Sequence, residues 1–449
     1  MTNQLNIEPV SYSIISKTKQ QISDRRNYSR LVEILFKGSL EFEKYKSLFI
    51  PRKPNEPMEL YDYRLSLSSY DNLLSQCTDS LLNKFTDVSF TVEGLPNSNN
   101  NPDSLPAKYW SRIRNNLDGN GLSERNFPKY LLLELIKHKK VALIYSLTNE
   151  PTGNLRDDYL KGVQPKIKMY SSPNIGDYGI NKYGGYDYVK IETLVTRSNP
   201  LAMDEFFITW EIYTPDSYMR FELPVEPDGF GHGMPKASEE YNTELDIYDY
   251  KVECVESYNH GFPAIPVKIV EIDSSEWLAH KAFSLEKSRI LISNHANFTA
   301  TTVAGIQSVI KPLTYKKDFR KKGFWKKGFG DDDFELYEDF HEDYRMVEIS
   351  GESIRVLQER EQALTDTIRD LMYNSSISNS RHRVSQESGK AKMLDSTPLT
   401  DYLTAMGAVC CETLESIYKF FSLILGDSEL AEGINITGLN QFNLTQADT

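Results

Sequence analysis

The chain has 449 residues, 39% hydrophobic and 26% charged, a balance that builds a sizeable core of two or three domains and excludes a disordered or fibrous chain. Its formal net charge of −13 excludes an ordinary free nucleic-acid binder, whose affinity comes from neutralising phosphates, so any contact with DNA is expected to be local or weak. None of the four cysteines (Cys77, Cys254, Cys410, Cys411) sits in a CxxC, and adjacent Cys410 and Cys411 suit neither an ordinary disulfide nor a zinc site, so packed, reduced thiols are expected.

The N-terminal "MTNQLNIEPVSYS" has no basic n-region and no apolar h-region, so no signal peptide is expected. The longest apolar run near the end, "IYKFFSLILG", is about half a membrane span. Synthesis in a cytoplasm follows, and the sequons at Asn297, Asn374 and Asn435 then carry no meaning.

Residues 1 to 140 read as mostly helical. Leu31, Ile34, Leu35 and Phe36 lie at helical spacing, as do Leu73, Leu74, Leu81, Leu82 and Phe85. "FPKYLLLELIKHKK" predicts a short helix that leads into the strand "VALIYS". From 141 to 273 the texture is β: "KIKMYS", "YVKIETLVTR", "EFFITWEIYT", "SYMRFEL" and "YKVECVES" alternate or are rich in β-branched and aromatic residues. Gly/Pro/Asn clusters, notably "SSPNIGDYGINKYGGYD", separate them as loops. Pro263 and Pro266 in "HGFPAIPVKIVEID" predict an edge strand or an extended exit from a sheet.

A long helix is predicted after Ser274 or Ser275 as N-cap. Another is expected in "GESIRVLQEREQALTDTIRDLMY", where Ile354, Leu357, Ala363, Leu364, Ile368 and Leu371 form an apolar stripe. Arg355, Glu359, Arg360, Glu361, Asp366, Arg369 and Asp370 are expected to stay wet. The stripe fits an ordinary core helix equally well. "NSSISNSRHRVSQESG" is polar and without period, hence a loop; the last helical zone ends at Gly426, and the polar tail 427–449 is expected to be loosely ordered.

No nucleophile elbow, P-loop, dinucleotide fingerprint or paired-histidine metal motif occurs. The stretch from Lys316 to Asp343, "KKDFRKKGFWKKGFGDDDFELYEDFHED", is basic in its first half and acidic in its second. Asp331, Asp332 and Asp333 are the strongest metal candidates, yet three consecutive aspartates in a Gly-flanked turn point in different directions and fit a solvated charge run better than a two-metal site. No metal and no cofactor are expected.

Three stretches in order carry a resemblance. "HGFPAIPVKIVEIDSSEWLAHKAFSLEKSRILISNHANF", "YRMVEISGESIRVLQEREQALTDTIRDLM" and "QESGKAKMLDSTPLTDYLTAMGAVCCETLESIYKFF" together resemble a tailed-bacteriophage portal, or head-to-tail connector, of the short-crown type. The succession carries the likeness, which covers the second half of the chain and the first half only in texture. The short tail after Gly426 departs from larger portals, so a substantial crown is not expected.

The resemblance implies an α+β chain with the portal fold. A wing spans 1–273, helical over 1–140 and β-rich over 141–273. A two-helix stem occupies 274–311 and 351–373, and a small α/β clip is inserted at 312–350. A tunnel loop follows at 374–388, then a long helix over 389–426 and a short tail over 427–449. It implies a ring of twelve subunits at one capsid vertex, without catalytic activity, through which double-stranded DNA is packaged and later leaves. Implied partners are the terminase large subunit, neck, adaptor and tail proteins, and the major capsid and scaffolding proteins, with no membrane. The place is the virion, and the host cytoplasm during assembly.

On that likeness Arg381, His382 and Arg383 would face DNA in the tunnel loop. Lys316, Arg320, Phe324, Trp325, Lys326, Phe329, Asp331, Asp332, Asp333 and Phe334 would form the clip interface. Ile354, Leu357, Leu364, Ile368 and Leu371 would pack the stem. Two other readings stand beside it: a neck adaptor or minor capsid protein, and a metal-dependent nuclease using Asp331 to Asp333.

Overall fold

Alternating apolar and polar residues in the middle of the chain pair into antiparallel sheets, the arrangement that lets β-branched and aromatic side chains pack on one another across strands. A computed structural model describes residues 7–18, 20–86, 88–96, 104–149, 152–198, 204–227, 233–235, 251–306, 351–372 and 389–442. Its strands are β1 (Val10–Ser11), β2 (Thr91–Glu93), β3 (Lys140–Leu147), β4 (Pro165–Ser171), β5 (Ile175–Ile180), β6 (Tyr186–Arg197), β7 (Glu205–Tyr213), β8 (Ser217–Pro227), β9 (Gly233–Pro235), β10 (Lys251–Asn259), β11 (Val267–Glu271) and β12 (Asn435–Thr437). Its helices are α1 (Tyr12–Ile15), α2 (Gln20–Lys37), α3 (Ser39–Tyr45), α4 (Met58–Ser66), α5 (Leu73–Thr86), α6 (Leu105–Asn115), α7 (Phe127–His138), α8 (Leu155–Lys161), α9 (Leu278–Ile306), α10 (Gly351–Leu371), α11 (Gly389–Ile424) and α12 (Ser428–Gly433). The chain is mixed α and β with antiparallel sheets, in keeping with the α+β class.

Two compact units emerge. One comprises 1–42, 71–285 and 366–449, and the other 43–70 and 286–365. In the first, the described strands form a seven-stranded sheet in the order β1-β10-β8-β7-β6-β5, with β9 on β8. A three-stranded sheet, β11-β3-β4, packs one face of it through Ala142, Ile144, Tyr170, Val189, Ile191 and Tyr213. The opposite face packs under the N-terminal segment through Ile15, Trp210, Phe221 and Val252. The strand after Pro266 is an edge strand, since β11 pairs with β3 and ends the sheet there. Two strands lie where loops are expected: β9 falls in the Gly/Pro-rich "PVEPDGFGHGMPKASEE" and pairs with β8, and β5 runs through "IGDYGI" and pairs with β6. Its glycines lower the strand signal, while Ile175 is buried in the core between the sheets.

The first unit holds a buried charge cluster on α2 and α7. His138 is fully buried, and its Nε2 lies 3.0 Å from Oε2 of Glu33; Lys137 Nζ lies 2.8 Å from Oε1 of Glu134. Burial alone would raise the Glu33 carboxyl; the hydrogen bond with His138 and the charges of Lys137, His138 and Lys37 outweigh it and hold the group at about 2. The cysteines are free thiols, and Cys77, Cys410 and Cys411 are buried. Among the described residues no helix is long and apolar enough to cross a membrane.

The tail expected to be loose is a packed strap as far as residue 442. After α12, strand β12 pairs with β2 through Asn435, Ile436 and Thr437 opposite Glu93, Val92 and Thr91. Ile434, Ile436, Leu439 and Phe442 are buried, and the Phe442 ring meets Phe85 edge-on at 4.8 Å. Four apolar residues in nine, spread among polar ones, suffice because each finds a partner far away in sequence. Gly438 has φ +112°, and a Cβ there would come within 2.7 Å of the Ser89 carbonyl, so no other residue fits this close approach. The helix cap also differs from expectation: Asp273, not Ser274 or Ser275, accepts the Ser275 N–H at 2.7 Å at the start of a short 3-10 turn, and α9 begins after it.

Candidate functional site

Three long helices stand before, between and after the segments 307–350 and 373–388, where the expected clip and tunnel-loop residues fall. α9 has 29 residues, α10 has 21 and α11 has 36. The clip candidates Lys316, Arg320, Phe324, Trp325, Lys326, Phe329, Asp331, Asp332, Asp333 and Phe334 lie outside the described residues, as do Arg381, His382 and Arg383. Among the described residues, no group of three or more His, Cys, Asp or Glu side chains is placed to hold a metal ion.

The apolar stripe of α10 is where the helix turns inward. Ile368 is fully buried, and Ile354, Leu357, Leu364 and Leu371 are half-buried. Two assignments change. Ala363 is exposed, because it sits about 120° around the helix from the line through Ile354, Leu357, Leu364 and Ile368. Glu361, expected wet, belongs to that line and faces Arg289, whose Nη1 lies 3.6 Å from its Oε1. Its spacing of four from Leu357 and three from Leu364 is the signal that would have placed it. Truncation of Ile368 to alanine is expected to lower unfolding free energy by about 2–5 kcal/mol, read from urea denaturation, because it leaves a cavity under α10. A loss below about 0.5 kcal/mol would place the stripe on an uncovered surface.

In the second unit α9 is the middle element. Its residues 286–301 are covered almost all round, with Ser288 and His295 the exposed ones, as an evenly apolar helix requires. Glu286 and Arg289 are buried and bonded to each other, Nε to Oε2 and Nη2 to Oε1, both at 2.8 Å. On another side, Asn294 Nδ2 donates to the Arg64 carbonyl at 2.8 Å and Asn297 Nδ2 to the Leu67 carbonyl at 3.3 Å. The Tyr63 ring meets Phe298 at 6.2 Å. Residues 43–70 are thereby tied to a helix more than 200 positions away in sequence.

That tie centres on a buried ion pair. Arg64 donates from Nε to Oε1 and from Nη2 to Oε2 of Glu56, both at 2.8 Å, and from Nη1 to Asn294 Oδ1 at 3.1 Å. Its Nη2 also reaches the Pro51 carbonyl at 3.0 Å, and the Lys53 N–H donates to Glu56 Oε2 at 2.9 Å. The Arg64 hydrogen bonds, opposed by burial, hold the Glu56 carboxyl down at about 2.

In the first unit α11 is anchored along one stripe: Leu403, Met406, Cys410, Leu414, Ile417 and Phe421 are buried at spacings of three and four. Tyr418 donates to Glu124 Oε2 at 2.6 Å, and Arg114 holds the same carboxylate through Nε at 2.8 Å. Burial, then the Glu124 charge, push the Tyr418 hydroxyl well above its ordinary value, so it stays a donor at all ordinary pH. α11 is thus seated by burial and by this hydrogen-bonded cluster.

No protein-family model matches the chain, and no curated protein matches it.

Proposed function

We propose that the chain is a portal subunit, one of a ring, expected to number twelve, at a single capsid vertex through which double-stranded DNA is packaged and later leaves. The observation that supports this reading is the succession of α9, α10 and α11 behind an antiparallel β region; the segments 307–350 and 373–388, where the resemblance expects the clip and the tunnel loop, lie outside the described residues. Two long helices followed by a third that is firmly seated would suit the wall of a channel. The net charge of −13 per subunit suits a conduit, since a strong phosphate grip would have to be broken at every step of translocation. The basic cluster Arg381, His382 and Arg383 would guide the duplex locally. The clip, with its aromatic residues and split charge, would meet its neighbour, the terminase large subunit and the neck proteins. Capsid and scaffolding proteins would hold the ring in the vertex, and the virion would be its final place.

Electron microscopy of the purified chain tests the reading. The expected result is a ring of roughly 620 kDa, twelve times 51.6 kDa, with an open central channel. A compact monomer at micromolar concentration, or magnesium-dependent DNA cleavage by the pure protein, would remove it.

A further inference from the structure

Two hydrogen bonds of opposite sense meet on one imidazole in the first unit. His260 follows β10, and its Nε2 lies 2.9 Å from the Thr214 carbonyl oxygen in the turn between β7 and β8. The Phe262 N–H donates to its Nδ1 at 3.1 Å. A carbonyl can only accept and a backbone N–H can only donate, so the proton sits on Nε2 and Nδ1 is a bare lone pair. These partners therefore require the neutral ring. The His260 N–H also donates to the Asp216 carbonyl at 3.2 Å, which ties its backbone to the same turn.

The ring holds more than one amide. Phe262 stacks on it, with centroids 5.2 Å apart and planes at 23°. Phe262 in turn meets Phe420 of α11 at 6.1 Å, and Phe420 stacks on Tyr145 of β3 at 4.3 Å. The chain is held again at Pro266, whose carbonyl accepts the Tyr145 N–H at 2.9 Å. Between these points Gly261, Pro263 and Ala264 are exposed. Gly261 has φ +66°, and a glycine there lets the backbone swing at little cost.

The geometry points to His260 as a proton-operated latch that holds residues 261–264 in place when neutral and releases them in mild acid. Imidazole is the side chain that ordinarily changes charge between about pH 5 and 8. Protonation puts a hydrogen on Nδ1 opposite the Phe262 N–H, so two donors face each other and the bond is lost. The Nε2 bond to Thr214 survives and is strengthened by the charge. The ring therefore stays with its turn, and the Phe262 side gives way and leaves Phe420. The bond needs the neutral ring, so the latch is closed at high pH and opens as the pH falls.

Among the described residues, most charged groups on the elements that meet here are committed to other partners. Glu256 of β10 pairs with Arg220 of β8 at 3.0 Å, and Glu211 of β7 accepts from Tyr170 and Tyr213 at 3.0 and 3.1 Å. On α11, Glu412 and Glu415 act on Lys268 of β11, and Lys419 pairs with Glu415. Asp216 belongs to the turn itself, and a carboxylate there favours the imidazolium and so works toward release.

Hydrogen exchange of the full chain, followed by mass spectrometry at about pH 7.5 and about pH 5.5 and corrected for the intrinsic exchange rate at each, tests the latch. In the wild type, the peptide that carries the Phe262 N–H is expected to lose about ten-fold in protection at the lower pH, while β3 and β6 keep theirs. In His260→Gln the side chain takes up no proton, so protection of that peptide is expected to be the same at both pH values, whether the amide side chain closes the segment or leaves it open. A variant in which β3 also loses protection is replaced by His260→Asn. Equal protection of the wild-type peptide at the two pH values overturns the latch. So does a pH dependence that persists in the variant, because another group then titrates.

Discussion

Replacement of Arg64 by methionine is expected to destabilise the second unit by about 3–5 kcal/mol, because it leaves the buried Glu56 carboxylate with the Lys53 N–H but without its cation. The side chain is of similar length, so lost packing is minor and the loss reads chiefly the uncompensated charge. The double change Arg64→Met with Glu56→Leu is expected to recover most of that loss, since no charge is then stranded. Urea denaturation of all three chains measures it. A loss under about 1 kcal/mol for Arg64→Met would mean that Glu56 reaches water and that the pair contributes no more than an exposed one.

The pH dependence carries the same signature. The Glu56 carboxyl is held at about 2, below its ordinary value of 4.5, so its contribution to stability is present in full above pH 4.5 and disappears as the pH falls toward 2. Glu33 behaves alike beside His138, with the same depressed carboxyl. Acid titration of the wild type is therefore expected to lose stability across this window, and Arg64→Met to lose less, since Glu33, Glu271 and Asp273 keep their lowered carboxyls while Glu56 does not. Equal acid slopes in the two chains would dissociate the shift from the ion pair.

Replacement of Gly407 by alanine is expected to detach the C-terminal strap. Alanine is favoured over glycine inside a helix by about 1 kcal/mol, so on α11 alone the change would stabilise. The strap crosses the helix at this point, and a Cβ would lie 2.6 Å from the carbonyl carbon of Leu439 and 2.8 Å from Asn440 Cα. These are backbone atoms of a segment that also pairs with β2, so they cannot step aside locally. The clash wins because Ile434, Ile436, Leu439 and Phe442 together must leave their places, at about 1.5–3 kcal/mol each. Hydrogen exchange at residues 434–442 and limited proteolysis after α11 read the result: faster exchange, earlier cleavage and a lower melting temperature. A higher melting temperature with unchanged protection of β12 would show that the strap has slack over Gly407.

Several elements could be read without any structure. The buried stripe of α5, with Leu73, Leu74, Leu81, Leu82 and Phe85, repeats with the helical period, and strands β6, β7, β8 and β10 announce themselves by alternation and aromatic content. The turn of α10 toward its partners was legible for the same reason, from Ile354, Leu357, Leu364 and Ile368. These signals are local: each side chain's place follows from the few residues beside it. Glu361 shows the limit. Its charge suggested water, and the arginine that draws it inward lies 72 positions earlier, on α9.

The same division holds for the molecule. Composition, period and turn residues determine that the chain is α+β, where its long helices and most of its strands lie, and that its surface is acidic. The fold alone decides that 43–70 belongs with α9 rather than with the helices beside it in sequence. It decides equally that a polar tail becomes a strap over Gly407. The reason is physical. A hydrophobic pattern states which side chains seek burial, but a buried ion pair or a close backbone crossing depends on which separate segments the fold brings together, and no local pattern records them.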